Sequence, residues 1–176
     1  IHCSEIVLRE GVFPHTNAGN LTKNEMKELG KTNVSLGVML ENSSARLRED
    51  GMPHQDAPSK EPLARLNILK NAGELKIPMT TGILVGIGET LEECIQSIYD
   101  IKKIHQKYGN VQEIILQNFH PKPKTSMFEH STPEESYFKM VVALCRIIMP
   151  DANIQIPPNL SPDNYNEFLS VGIIDW

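Results

Sequence analysis

Apolar positions along the chain fall into two alternating kinds of segment. Short β-branched runs bounded by glycine, proline or asparagine predict buried strands, and longer stretches with apolar residues three and four apart predict amphipathic helices. The strand-like runs are 6–14, 34–40, 79–86, 111–118 and 152–156. Thr22 and Glu25 make a capping box that opens a short helix after the first run. The stretch 62–72 puts Leu63, Leu66 and Leu69 on one face, with Gly73 as its stop. The stretch 91–108 aligns Ile95, Ile98, Ile101, Ile104 and Tyr108, and is opened by Thr90 and Glu93. Thr132, Pro133 and Glu135 open a further helix whose stripe is Tyr137, Met140, Val141, Leu144 and Ile148. A last helix is expected over 163–171, and the polar stretch 42–60 reads as a loop with one helical turn at 45–49.

Five strand–helix alternations predict a parallel sheet with right-handed crossovers. An open doubly wound sheet and a barrel both fit that count. The polar and backbone-permissive residues decide for the barrel, because they gather at the C-terminal ends of all the strands. They are His15 and Asn17; Glu41 and Asn42; Gly86, Gly88 and Glu89; Gln117, Asn118 and His120; and Asn159 behind two prolines. With 176 residues, against about 250 for a complete (β/α)8 barrel, the expectation is a partial TIM-type (β/α) barrel. It has about five parallel strands and outer helices, and is part of a longer protein.

Charge and cysteine content narrow the partners. The net charge is −5, and no basic run exceeds two residues, which argues against nucleic acid and against an anionic membrane surface. No apolar run approaches the ~18 residues of a membrane helix, and no signal peptide is recognisable. Cys3, Cys94 and Cys145 are odd in number and widely spaced, as reduced thiols of a cytoplasmic protein would be. Cys94 and Cys145 fall on apolar helix faces and read as core.

The candidate chemistry centres on 79–90, where a buried strand breaks through Gly86-Ile87-Gly88-Glu89 into a helix. Such a break lets a ligand approach the backbone. It lacks the third glycine of a dinucleotide fingerprint and the Lys-Ser/Thr of a phosphate loop. Glu41 and Glu89 can accept from a ribose or an ammonium group, or simply be solvated. His15 and His54 have no partner at zinc-ligand spacing, so a protein-built metal site is not expected.

Six segments, in order, carry a resemblance. They are Pro14-His15-Thr16-Asn17, Gly37-Val38-Met39-Leu40-Glu41, Pro53-His54, Thr80 to Thr90 with Gly82-Ile83-Leu84-Val85-Gly86-Ile87-Gly88-Glu89, Gln112 to Phe119, and Asn153 to Leu160. The chain resembles the radical S-adenosylmethionine subunits of the 7,8-didemethyl-8-hydroxy-5-deazariboflavin (FO) synthase family, whose product is the chromophore of coenzyme F420. The resemblance implies a carbon–nitrogen lyase. Its radical step closes the deazaflavin ring on a tyrosine–diaminouracil adduct with loss of ammonia, and the adduct comes from a companion subunit or fused domain. It implies that Glu41, Gly82, Gly86, Gly88, Glu89, Gln117 and Asn118 face S-adenosylmethionine, and that His15, Asn17 and Asn159 face the small-molecule substrate.

One departure stands out: the family's C-x-x-x-C-x-x-C motif for a 4Fe–4S cluster is missing. Residues 1–176 therefore correspond to the middle and C-terminal part of a single radical barrel domain, expected to be inactive alone. The alternatives are another radical S-adenosylmethionine enzyme acting on an aromatic precursor, like those of menaquinone synthesis, or a small nucleotide-binding α/β module.

Overall fold

Five parallel strands lie side by side in chain order, β1 (His15–Thr16), β2 (Ser35–Gly37), β3 (Met79–Val85), β4 (Val111–Asn118) and β5 (Asn153–Gln155). Every crossover thus advances the sheet in the same direction. A doubly wound sheet would reverse at a switch point, so the order is that of a partial (β/α) barrel. This is a computed structural model, and it describes residues 1–161 and 165–174.

The helices are α1 (His2–Arg9), α2 (Lys23–Leu29), α3 (Pro62–Glu74), α4 (Leu91–Tyr108) and α5 (Glu135–Ile148). The expected loop turn forms as a 3-10 helix at Ala45–Arg48, followed by another at Pro58–Lys60. The 3-10 helix Tyr165–Val171 takes the place of the last expected helix; Asp163, where that helix was expected to start, lies outside the described residues.

Five expectations need correction. The run 6–14 is not a strand. Residues 2–9 coil into α1, and Glu10 and Val12 N–H close onto Ile6 and Val7 carbonyls. The α5 capping box does not form: the N-cap is Glu134, with no side-chain cap bond. The α5 stripe is also rotated, burying Phe138, Val141, Val142, Cys145 and Ile148 while Met140 is exposed. In α3, Leu63 is exposed and Arg65 is buried in its stead. Gly73 does not stop that helix. It lies within it, where a Cβ would come 2.5 Å from Cγ of Tyr108, so the missing side chain lets α3 and α4 close together.

Strand alternation gives the sheet two unlike faces. Leu36, Val38 and Met79 pack on α2 and α3 with Met26, Leu69 and Ile77. Ile83, Val85, Ile114, Leu116 and Ile154 pack on α4 and α5 with Ile98, Ile101, Val141 and Val142. The opposite face, which a barrel turns inward, carries the register row Gly37, Thr80, Glu113 and Asn153, then Gly82, Ile115 and Gln155, then Leu84 and Gln117. An inner face this polar is not the branched aliphatic plug of a filled barrel.

Candidate cofactor site

The glycine turn after β3 is built from inside. Gly86 and Gly88 have φ of +95° and +97°, a region open to glycine and strained for other residues. Glu89 folds back beneath them, and its two carboxylate oxygens accept from Gly86 N–H at 2.7 Å and Ile87 N–H at 2.8 Å. The Cys94 thiol lies 3.6 Å from the same carboxylate. Burial and the neighbouring Glu89 push that thiol up to about 12, so it stays protonated. Thr90 and Glu93 then cap α4 by the expected box.

The three glycines of the segment do different things. A Cβ on Gly82 would lie 1.8 Å from the Ile115 carbonyl oxygen, so that glycine sets strand spacing. A Cβ on Gly86 would meet the Pro133 ring at 2.6 Å. Only Gly88 is open, with Met52 Cε at 3.8 Å as the single neighbour within reach.

Glu41 stands beyond the end of β2, in an isolated bridge to Ile83 of this segment. Its N–H donates to the Gly82 carbonyl at 3.0 Å, and its own carbonyl accepts from Leu84 N–H at 2.9 Å. The residue is buried and holds φ +64°. Its carboxylate gathers three side chains: Lys60 in direct contact, Arg65 Nη1 at 3.2 Å and His54 Nε2 at 3.2 Å. Arg65 also donates to the Ser59 carbonyl at 2.8 Å and to that of Met39.

The group is short of negative charge. Burial, then Arg65, pushes Lys60 down to about 8, and burial also lowers Arg65. Burial, Arg65 and Arg48 lower His54, which keeps the imidazole neutral near pH 7. One carboxylate thus faces two cations, and an acidic ligand group would complete the balance.

The remaining expected residues are spread along the rim. Gln117 lies on the inner face, in register with Leu84. Asn118 braces the turn Pro158–Leu160 that follows β5: its Nδ2 donates to the Leu160 carbonyl at 3.0 Å, while its buried Oδ1 has no partner. Asn159 is exposed in the turn Pro158–Leu160. His15 Nδ1 pairs with Ser35 Oγ at 2.7 Å, and Asn17 is exposed at the end of β1. So Glu41 and Gly82 to Glu89 form one neighbourhood, and His15 with Asn17 another, over Gly37. Among the described residues, no group of three or more His, Cys, Asp or Glu is placed to hold a metal ion.

Lys60, Arg65 and Arg46 were not singled out from the sequence. Arg65 left one signal, an arginine at a core-facing position of an amphipathic helix. The sequence offers His54 as a metal ligand, and the structure gives it a carboxylate instead.

A protein named 7,8-didemethyl-8-hydroxy-5-deazariboflavin (FO) synthase, from Methanococcus maripaludis strain C6, is 51% identical over 166 residues, covering 94% of this chain and 47% of that protein. The chain is a sequence relative of the FO synthases. The FO synthase of Methanopyrus kandleri is 45% identical over 99% of the chain and 52% of its own length. The chain thus spans about half the length of the curated relatives it matches. No family model matches it. Among solved structures, methylornithine synthase superposes with a TM-score of 0.83 at 16% identity, over 99% of the chain and 50% of its own. The FeFe-hydrogenase maturase HydG from Carboxydothermus hydrogenoformans does so with 0.71 at 21%, over 97% and 41%. These two support the barrel-type fold.

Proposed function

We propose that this chain is the middle and C-terminal part of a radical S-adenosylmethionine barrel domain in an FO synthase, a lyase that forms the deazaflavin chromophore of coenzyme F420. The observation that carries this is 51% identity to a named FO synthase across 94% of the chain. The residues present suit S-adenosylmethionine. Lys60 and Arg65 around Glu41 lack one negative charge, which a methionyl carboxylate supplies. Gly88 leaves backbone open to a flat group, and the buried Asn118 Oδ1 lacks a donor. One-electron cleavage of that cofactor, when bound, supplies a radical that abstracts hydrogen.

The three cysteines do not suit the 4Fe–4S cluster: Cys94 and Cys145 are buried in the apolar core of α4 and α5, and Cys3 is exposed. On this reading the cluster is held by residues outside this chain. What these residues do is hold and orient. Glu41 fixes two cations at the rim, Glu89 sets the glycine turn, and His15 with Asn17 faces an aromatic substrate delivered by a companion subunit or fused domain. Among the described residues, no helix is long and apolar enough to cross a membrane, in keeping with a cytoplasmic enzyme.

The test is product analysis of the intact protein, reduced and anaerobic, with its companion and substrates. Fluorescent deazaflavin and 5′-deoxyadenosine should appear together. Cleavage of S-adenosylmethionine only with a different aromatic precursor would transfer the protein to another reaction.

A further inference from the structure

The loop that follows Glu41 is stitched to the start of α4. Arg46 is the centre of the stitching. Its Nε donates to Glu93 Oε1 at 2.8 Å and its Nη2 to Glu93 Oε2 at 2.6 Å, a bidentate fork. The same Nη2 donates to the Gly88 carbonyl at 2.8 Å. Around it, Ser44 Oγ donates to Glu93 Oε1 at 2.6 Å, and Ser43 N–H donates to Ser97 Oγ at 2.9 Å. Glu93 is also the reciprocal half of the α4 capping box, accepting from Thr90 N–H at 2.8 Å.

The glycine turn is therefore gripped from both sides. Glu89 holds its N–H groups from within, and Arg46 holds the Gly88 carbonyl from the neighbouring loop. Of the contacts around the turn, the Arg46 grip ties it to the segment bearing Glu41. The peptide it fixes belongs to the glycine with the open side.

We propose that Arg46 is a positioning residue. It locks the Gly86–Glu89 turn to the loop after β2, so that the backbone at Gly88 and the charged group at Glu41 keep one mutual geometry for S-adenosylmethionine. This rests on the functional reading above. Lysine cannot replace it fully, because a single ammonium does not span Glu93 and Gly88 in a fixed fork.

The test is made on the intact protein, with variants R46A, R46K and E93Q and with Glu74→Gln as control, since Lys23–Glu74 is an exposed ion pair remote from the turn. Amide hydrogen exchange without ligand is the first readout. The Gly86 and Ile87 amides should exchange about tenfold faster in R46A, with amides inside α5 unchanged. Calorimetric affinity for S-adenosylmethionine should fall about tenfold in R46A and less in R46K and E93Q, at no change in Glu74→Gln. R46K and E93Q carry the test if R46A does not fold. Unchanged exchange at the turn, or a fall in melting temperature with affinity intact, overturns the positioning role. Wild type that binds no S-adenosylmethionine overturns the functional reading, and the exchange result still judges the clamp.

Discussion

The ring of His15 occupies the space that a side chain at Gly37 would fill: a Cβ there would lie 2.9 Å from His15 Nε2. The two belong to adjacent strands, and the ring is steadied on its other nitrogen by Ser35. A missing side chain on β2 thus sets the attitude of a histidine on β1.

Gly37→Ala should therefore copy His15→Ala. The protein folds, because the obstructed atom is the end of a side chain that can turn away. In the intact enzyme both variants should keep 5′-deoxyadenosine formation and lose most of the deazaflavin, and the double variant should be no worse than either. Measuring both products in one reaction decides it. Equal loss of both would place His15 with the cofactor or the fold.

Alanine at the three glycines should give a graded series. Gly82→Ala drives a methyl into the Ile115 carbonyl and should abolish soluble folding. Gly86→Ala must displace the Pro133 ring as well as hold φ +95°. Gly88→Ala has room and faces only the left-handed strain, about 1–2 kcal/mol. Soluble yield and melting temperature should rank the variants in that order, with Gly88→Ala the mildest.

Removing the Glu41 charge leaves buried Arg65 and half-buried Lys60 without a counter-charge. Glu41→Gln should cost about 3 kcal/mol, in the range seen when one member of a buried pair is deleted. Adding Lys60→Met should return part of it. Urea unfolding of the single and double variants would show the recovery, and its absence would mean that the cations are already neutralised by solvent.

The Arg46–Glu93 pair predicts a pH dependence with a definite sign. The Arg46 guanidinium, foremost among its contacts, brings Glu93 from an ordinary 4.5 down to about 2. A lowered acid stabilises the fold above its unfolded pKa and loses that contribution as pH falls through the folded one. The stability gap between wild type and R46A, about 1 kcal/mol for a partly exposed fork, should be full near neutral pH. It should narrow steadily from about pH 4.5 towards 2. A gap that does not change across that range would show that Glu93 is not held by Arg46.

Much of the frame was legible because it is locally encoded. The elements α4 and β4 match the expected 91–108 and 111–118 residue for residue. A capping box at Thr90 and the left-handed Gly109, φ +66°, mark both ends of α4 in the sequence itself. The first strand was misplaced for the opposite reason. The apolar run 6–14 looks like a strand, but 6–9 end α1 and 10–14 form a turn and connection, whereas β1 is His15–Thr16, with His15 turned to the polar inner face that hydrophobic pattern cannot reveal. The charged group around Glu41 was hidden because Lys60 and Arg65 lie 19 and 24 residues away, in a loop turn and a helix that only the fold brings back.

Glu41 adopts a backbone shape that asparagine or glycine would take more readily, at a cost of about 1 kcal/mol or more. Backbone strain alone would favour replacing it, yet replacement strands Lys60 and Arg65. Positions 41, 60 and 65 are consequently bound into one unit of evolutionary change. Descendants should keep all three or exchange them in concert, and a lineage that has lost the glutamate alone should have lost the cofactor with it.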